Sequence, residues 1–176
     1  VYGKDDPILT GVLTGFLIED GVTAAYSRIA GESVTSGPYR ITAVLSPEGV
    51  LGNYDITYNT ANFTITPKAI TVAAEPKTKA YGLRDPALTY EEVEGIEDGD
   101  SLVGRLARLP GENVGTYQIT IGTMTAGPNY TITFVPENLT ISKRSITITA
   151  DDKGKTIGDS DPALTYSITA GSLAYD

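Results

Sequence analysis

The chain contains no histidine, cysteine or tryptophan and only one methionine among its 176 residues. Without cysteine it has no disulfides, no thiolate metal ligands and no cysteine nucleophile. Acid–base chemistry would then depend on Asp, Glu, Lys and Tyr, and the sequence shows no nucleophile elbow, phosphate-binding loop or metal-ligand spacing. We therefore predict that the protein is not an enzyme and has no catalytic, cofactor-binding or metal-binding residues.

Positive charge and long apolar runs are also scarce. The 13 Lys and Arg residues face 22 Asp and Glu residues, which gives a net charge of −9. Nucleic acids and anionic membranes attract basic surfaces, so neither is an expected partner. No run approaches the roughly 20 apolar residues of a membrane span, so we predict no membrane insertion by this segment. Because Val1 starts no signal-peptide pattern, we expect any export signal to lie upstream.

A turn motif that contains Gly and Asp-Pro occurs three times. Its copies cover residues 2–10, 79–90 and 157–166, and Pro7, Pro86 and Pro162 lie 79 and then 76 residues apart. Gly accepts a positive φ, Pro fixes φ, and the residue before Pro is extended, so each copy should turn the chain into a strand. The motif predicts a tandem repeat.

We place the repeat boundaries at 1–67, 68–143 and 144–176. The first repeat is divergent and lacks an opening strand, the second is complete, and the third is truncated. We therefore expect the chain to be a window onto a longer array. Linkers of two or three residues leave little room for hinge motion, so neighbouring repeats of the same chain are the expected partners.

The composition, with 24 Thr, 11 Tyr, 19 Gly and 10 Pro, is typical of an all-β protein. Apolar and polar residues alternate in short segments, which predicts six or seven strands per repeat and tandem small Ig-like β-sandwiches. The predicted strands cover residues 39–43, 53–58, 62–66, 69–75, 88–90, 102–108, 115–121, 129–134, 138–142 and 145–150.

One segment also fits a helix. Leu102, Leu106 and Leu109 follow helical spacing after Asp100, a possible N-cap. The aligned residues Val22, Tyr26 and Ile29 have the same spacing after Asp20. We favour a strand in both repeats, because Gly104 would weaken a helix interior and Val22, Thr23 and Tyr26 favour strands. A short helix near 100–109 would instead make each repeat a β-grasp unit.

Acidic clusters invite a calcium interpretation at Asp98, Asp100, Asp151, Asp152, Asp159 and Asp161. Calcium takes six to eight oxygens, and the EF-hand pattern is absent, so we expect solvated turns and no cofactor, with inter-repeat calcium as the alternative. The aspartates before proline, Asp6, Asp85 and Asp161, are expected to bond nearby backbone N–H groups. Tyr39, Tyr117 and Tyr130 share the phase of neighbouring isoleucines, which favours core packing over sugar stacking.

The second repeat resembles the MBG repeat of YGX type. The matching segments begin at Ile70, Lys79, Asp85, Gly99, Leu102, Gly111, Asn129 and Leu139. Such repeats occur in tandem in large bacterial surface proteins and adhesins. The resemblance implies an extracellular location at the bacterial cell surface and a structural stalk or spacer in an adhesin or filament protein. The alternative is that the repeats themselves bind host or environmental glycans or mucin.

The ends suggest a second kind of partner. An absent opening strand in the first repeat would leave an apolar groove beside unpaired backbone groups. Residues 145–150 of another molecule, with Ile146 and Ile148 facing inward, could fill it by strand addition. We therefore predict either fraying at both ends or head-to-tail association of copies.

Overall fold

The computed structural model describes residues 1–91 and 93–174. The fold is all-β and of sandwich type. The described strands are β1 (Thr23–Arg28), β2 (Tyr39–Ser46), β3 (Ala61–Phe63), β4 (Lys68–Ala73), β5 (Lys77–Ala80), β6 (Ala107–Arg108), β7 (Gly115–Thr120), β8 (Tyr130–Val135), β9 (Asn138–Ser142), β10 (Thr147–Ala150) and β11 (Tyr166–Ala170). Two short helical turns are also present, a 3-10 turn at Ile18–Asp20 and α1 at Glu48–Leu51.

The chain divides into two compact units. The first comprises Val1–Thr71, Val93–Leu102 and Thr125–Thr133, and the second comprises Val72–Glu92, Val103–Met124 and Phe134–Asp176. Each unit therefore contains residues from more than one predicted repeat.

The first unit contains an antiparallel sheet of order β1-β2-β3. Its most buried apolar side chains are Tyr39, Leu45, Ile65, Ile70 and Tyr130. Tyr39 begins β2 and Leu45 lies near its end, so apolar residues of one strand contribute to the core along most of its length.

The second unit contains a sheet of order β5-β9-β7-β6, in which β5 and β9 run parallel and the other pairs run antiparallel. The alternation in β9 buries Leu139 and Ile141, and β7 buries Ile119. With Val72, these are the largest fully buried side chains in the described residues. β10 and β11 form a separate antiparallel pair whose residues are all exposed.

Strands β4 and β8 pair with each other and pass from the first unit into the second. The Lys68 amide donates to the Asn129 carbonyl, and the Ala74 amide donates to the Val135 carbonyl. Both bonds have the same offset in sequence, so the strands run parallel. On its other edge, β4 continues into an antiparallel bridge between Ala74 and Tyr90.

The structure confirms the all-β prediction and corrects parts of it. The predicted strands at 69–75, 115–121, 129–134 and 138–142 appear as β4, β7, β8 and β9. The helix alternative is wrong, because residues 100–109 contain no helix and only the two-residue strand β6. The predicted strand at 53–58 is also wrong, since no ladder forms there although Tyr54 and Ile56 remain half-buried. The strand β5 was not predicted.

The repeat boundaries remain a prediction. Glu92 in the second predicted repeat and residues 175 and 176 in the third lie outside the described residues.

Candidate functional site

A cluster of charged side chains surrounds Arg108, the last residue of β6. Its guanidinium donates to both oxygens of Asp85, at 2.5 and 3.2 Å, and pairs with Glu112. A further N–H donates to the Gly111 carbonyl at 2.6 Å. The fork of the guanidinium thus connects the Asp-Pro turn to the loop between β6 and β7.

Lys79 in β5 joins the same cluster. Its Nζ lies 2.6 Å from Asp85 and 2.5 Å from Glu112, and its side chain is only 3% exposed. Two cations therefore face two carboxylates, and we call these four residues, Lys79, Asp85, Arg108 and Glu112, the second-repeat cluster. A lysine this well covered needs such partners, because burying an unpaired ammonium is costly.

The cluster shifts the pKa of each of its members toward the charged form. The hydrogen bond from Arg108 lowers the pKa of Asp85, and that from Lys79 lowers the pKa of Glu112. The same carboxylates raise the pKa values of Lys79 and Arg108, in each case mainly through Asp85. All four groups are therefore held in their charged forms, as expected for a structural ion-pair network rather than a proton-transfer site.

Gly111 and Tyr117 complete the local geometry. The Arg108 guanidinium lies 5.3 Å from the centroid of the Tyr117 ring, and the Tyr117 hydroxyl donates to the Asn113 carbonyl at 2.8 Å. Gly111 has φ 142°, and a Cβ there would lie 2.1 Å from the Tyr117 ring. Only glycine therefore fits beside this tyrosine without displacing it.

The first repeat contains the same arrangement around Arg28, the last residue of β1. Arg28 binds both oxygens of Asp6, at 2.5 and 3.0 Å, and Glu32 at 2.6 Å. It also donates to the Gly31 carbonyl at 2.5 Å and lies 5.0 Å from the Tyr39 ring centroid. The hydrogen bonds that Arg28 donates to Asp6 and, to a smaller extent, to Glu32 raise the pKa of Arg28. We call Asp6, Arg28 and Glu32 the first-repeat cluster.

Residues 144–176, the third predicted repeat, contain one ion pair at corresponding positions. Lys155 occupies the position of Lys79 and forms an ion pair with Asp161, which occupies the position of Asp85. This pair is largely exposed. The lysine and the aspartate before proline therefore recur together 76 residues apart.

A second constellation lies within the first unit and connects the first turn motif to the turn before Leu102. Asp100 accepts hydrogen bonds from the Tyr2 hydroxyl at 2.9 Å and the Tyr130 hydroxyl at 2.7 Å. The two rings meet edge to face, with centroids 5.4 Å apart. The Tyr130 hydroxyl also accepts from the Glu97 amide at 2.9 Å. We call Tyr2, Asp100 and Tyr130 the tyrosine clasp.

Hydrogen bonds and burial shift the pKa values of the three residues in the clasp. Hydrogen bonds from Tyr130 and Tyr2 lower the pKa of Asp100. The hydrogen bond to Asp100 raises the pKa of Tyr2, whereas burial is the larger cause of the raised pKa of Tyr130. The carboxylate is thus stabilised as the acceptor of two phenol hydroxyls.

The glycine after the tyrosine takes part in similar contacts at both predicted junctions. A Cβ on Gly3 would lie 2.2 Å from the Glu97 carboxylate. In the second unit, a Cβ on Gly82 would lie 2.6 Å from the Ala174 side chain, and Arg144 donates to the Tyr81 carbonyl at 3.4 Å. The Tyr-Gly pair of each of the first two motifs therefore packs against residues of the following predicted repeat.

These positions correct one prediction and confirm another. The expectation that Asp6, Asp85 and Asp161 bond backbone N–H groups is wrong, because their carboxylates bind Arg or Lys side chains. Core packing is confirmed for Tyr39 and Tyr130, which are buried. Tyr117 is half-buried, and one face of its ring is covered by Arg108.

The acidic residues considered for calcium are separated by their partners. Asp100 belongs to the clasp, Asp151 accepts from Thr165 and Ser167, and Asp161 pairs with Lys155. Across residues 1–91 and 93–174 no group of three or more potential ligands could hold a metal ion. Whether calcium binds between repeats remains a prediction.

Sequence reasoning missed the cations of both clusters. Arg28 and Arg108 each stand three residues before a Gly-Glu pair, in segments that align between the repeats. The recurrence of an arginine together with an aspartate and a glutamate in both repeats could have indicated an ion-pair cluster. The segments were instead interpreted for their apolar spacing, which says nothing about charged partners.

A family model described as MBG domain (YGX type) matches residues 1–64 and 70–140. No curated protein and no solved structure matches the chain. Among the described residues, no helix has both the length and the apolar character required to cross a membrane.

Proposed function

Because the chain belongs to the MBG domain family of YGX type, we propose that it is a stalk segment of a bacterial cell-surface adhesin or extracellular filament protein. The family is a structural, non-enzymatic repeat domain of large extracellular surface proteins. In the proposed role, each repeat adds length and holds a terminal functional domain away from the cell.

The observation that carries this proposal is the way the motif of one repeat packs against the next. The tyrosine clasp joins the first motif to Asp100 and Tyr130 of the second predicted repeat. The Tyr2 amide also donates to the Thr66 carbonyl at 2.9 Å, which fixes the motif to the end of its own repeat. A junction bonded on both sides resists bending, as a spacer requires.

The second support is that both predicted junctions lie inside compact units rather than between them. Val1–Thr71 shares a unit with Val93–Leu102, and Val72–Glu92 shares a unit with Phe134–Asp176. A flexible string of independent domains would place unit boundaries at the linkers. Here, the linkers are within the packed regions.

Small-angle scattering tests the proposal with polypeptides that contain one to four tandem copies of residues 68–143. We expect the maximum dimension to grow almost linearly with the number of copies, because the junctions hold neighbours at a fixed spacing. Asp100→Ala should make the growth weaker by removing the clasp acceptor. Asp98→Ala, an exposed carboxylate two residues away, is the matched control and should leave the growth unchanged.

A maximum dimension that does not grow as copies are added would contradict the stalk proposal. The alternative function, glycan or mucin binding by the repeats themselves, predicts saturable binding on a glycan array by a single copy. A spacer gives no such signal.

A further inference from the structure

Each turn motif contains an aspartate–proline peptide bond, at Asp6-Pro7, Asp85-Pro86 and Asp161-Pro162. Such bonds are among the peptide bonds that dilute acid breaks most readily. The aspartate carboxyl group can reach the carbonyl carbon of its own residue through a five-membered ring. The proline nitrogen belongs to a tertiary amide, and it accepts a proton more readily than the nitrogen of an ordinary peptide bond. The turn motif therefore repeats a chemically weak bond.

Cleavage of this bond requires a free oxygen of the aspartate carboxylate. That oxygen forms a bond with the main-chain carbonyl carbon of the aspartate. The bond from this carbon to the proline nitrogen breaks, and the nitrogen takes up a proton from the solvent. One fragment then ends in a five-membered cyclic anhydride, and the other begins with the free proline amine. Water opens the anhydride, so the net reaction is the hydrolysis of one peptide bond.

In the second-repeat cluster, both oxygens of Asp85 are held by cations. Oδ2 accepts a hydrogen bond from Arg108 Nε at 2.5 Å. Oδ1 accepts from another nitrogen of the same guanidinium at 3.2 Å and lies 2.6 Å from Lys79 Nζ. Glu112 pairs with the same two cations. An oxygen that accepts charge-assisted hydrogen bonds is a poor nucleophile, because its electron pairs are already shared.

The first-repeat cluster holds Asp6 in the same way. Arg28 Nε donates to Oδ2 at 2.5 Å, and a terminal nitrogen of its guanidinium donates to Oδ1 at 3.0 Å. The side chains of Arg28 and Arg108 are only 8% and 10% exposed, so water competes weakly for these hydrogen bonds. Both repeats therefore share an arginine that spans the two oxygens of the aspartate before proline.

We propose that Asp85-Pro86 and Asp6-Pro7 are latent self-cleavage sites, which the arginine of each cluster keeps inactive by binding both carboxylate oxygens. While the guanidinium is in place, the oxygen that would attack the carbonyl carbon stays bound to the cation. Without the guanidinium, the carboxylate becomes an intramolecular nucleophile toward its own peptide bond. The proposal concerns the chemistry of a single turn, so it does not depend on the stalk function.

The two cations of the second-repeat cluster should differ in this protection. Arg108 binds both oxygens of Asp85, whereas the ion pair with Lys79 is through Oδ1. Arg108→Met therefore frees Oδ2 for attack while Lys79 still neutralises the carboxylate. Lys79→Met leaves both oxygens on the guanidinium. If the cations acted only on overall stability, the oxygen that each one binds would not matter.

Intact-mass spectrometry of the full 176-residue chain tests the proposal after incubation at about pH 4, near the ordinary pKa of aspartate. Arg108 holds the pKa of Asp85 below its ordinary value, so the ion pair persists at this pH. We expect the folded, unaltered chain to stay intact at Asp85-Pro86. Arg108→Met should give fragments 1–85 and 86–176, whose masses sum to the 18.6 kDa of the chain plus one water. Lys79→Met should give far less of these fragments.

Two further variants separate the loss of the guanidinium from other effects. Arg108→Lys retains a cation but not the fork that binds two oxygens, so cleavage should lie between that of the unaltered chain and that of Arg108→Met. Adding Asp85→Glu to Arg108→Met retains the carboxylate but requires a six-membered ring for attack, which forms less readily. That double variant should stay intact at position 85. Circular dichroism at the same pH shows whether each variant is folded.

Site selectivity distinguishes a freed carboxylate from an unfolded chain. Arg108→Met should leave Asp6-Pro7 intact, and Arg28→Met should break Asp6-Pro7 and leave Asp85-Pro86 intact. The unaltered chain in guanidinium chloride at the same pH should break at both bonds. The proposal is wrong if Asp85-Pro86 breaks as fast in the folded, unaltered chain as in guanidinium chloride, or no faster in Arg108→Met than in the unaltered chain. It is also wrong if both bonds break together in either arginine variant.

Discussion

The two arginine clusters share an aspartate, a glutamate, a glycine and a tyrosine, but the rings around the two guanidinium groups differ. In the second-repeat cluster, Arg108 shares its two carboxylates with Lys79. In the first-repeat cluster, the described residues pair both carboxylates with Arg28, and the position that aligns with Lys79 precedes Val1. Arg28 also lies 4.9 Å from the ring centroid of Phe63 and 5.0 Å from that of Tyr39.

Position 63 aligns with Leu139, so the first repeat has an aromatic ring where the second has an aliphatic core residue. Aromatic faces attract a guanidinium, with typical contributions of about 0.5–2 kcal/mol per contact. The difference shows that the arginine and its two acids are the common part of the repeat. Lys79 adds a second cation to the cluster in the second repeat, and Phe63 adds a second ring in the first.

The largest expected effect is on the tyrosines beneath the arginines. Tyr39→Ala should lower the free energy of unfolding by about 4 kcal/mol, because Tyr39 is a buried aromatic whose loss leaves a cavity. Tyr117→Ala should lower it by about 2 kcal/mol, since that ring is half-buried. Urea titrations followed by circular dichroism measure both. Equal losses would mean that the two rings contribute alike despite their different burial.

For the glycines beside these rings we expect an effect between those of Tyr39→Ala and Tyr117→Ala. Gly31→Ala and Gly111→Ala should each lower the free energy of unfolding by about 3 kcal/mol, because a strained φ adds to a clash with the ring. Gly127→Ala is the control, with φ 79° but open space around it, and should lower it by about 1 kcal/mol. If Gly111→Ala lowers the free energy of unfolding no more than Gly127→Ala does, contact with the tyrosine ring does not contribute to the effect.

Removing the arginines tests the charge balance directly. Arg28→Met should lower the melting temperature by more than Arg108→Met does. The first change removes the one cation that the described residues pair with Asp6 and Glu32, whereas Lys79 still neutralises Asp85 and Glu112 after the second. In the Lys79→Met background, Arg108→Met should become as harmful as Arg28→Met. Thermal scans of the four variants check this order, and an equal response in both backgrounds would argue against sharing of the carboxylates.

The smallest expected effect is on the stability of the fold at acidic pH. Asp85 and Glu112 have lowered pKa values, so the unfolded chain binds more protons than the folded chain near pH 4. Their contribution to stability is present above their unfolded pKa values, roughly 3.9 and 4.3, and is lost as the pH falls through the lower folded values. A variant with Asp85→Asn and Glu112→Gln should therefore lose less stability than the unaltered chain between about pH 5 and pH 3. Denaturant titrations across this range measure the slopes.

The sequence predicted strands well where a partner strand lies within the chain. The alternation in residues 115–121 and 138–142 corresponds to β7 and β9, which pair with each other and bury Ile119 and Leu139. The same alternation in residues 53–58 gave no strand, because alternation records which face is apolar and not whether a neighbour is present. β5 was missed because Lys77, Thr78 and Lys79 have no apolar alternation.

The charged clusters could not be assembled from the sequence. Asp85 and Arg108 are 23 residues apart, and their contact depends on how the Asp-Pro turn folds back over β6. A local rule for aspartate before proline predicted a backbone bond, but the guanidinium was the stronger partner. The tyrosine clasp joins residues 98 positions apart, a separation at which no local pattern is informative.

The parallel pairing of β5 with β9 determines how the second repeat responds to tension. Residues 77–80 lie near its beginning, Asn138–Ser142 closes it, and the two strands point the same way. A pull on the chain from both sides drags these strands past each other lengthwise, so their interstrand bonds carry the load together. The antiparallel pair of β10 and β11 would instead peel open one bond at a time if pulled from one end. We therefore expect the second repeat to resist extension until several of these interstrand bonds break together.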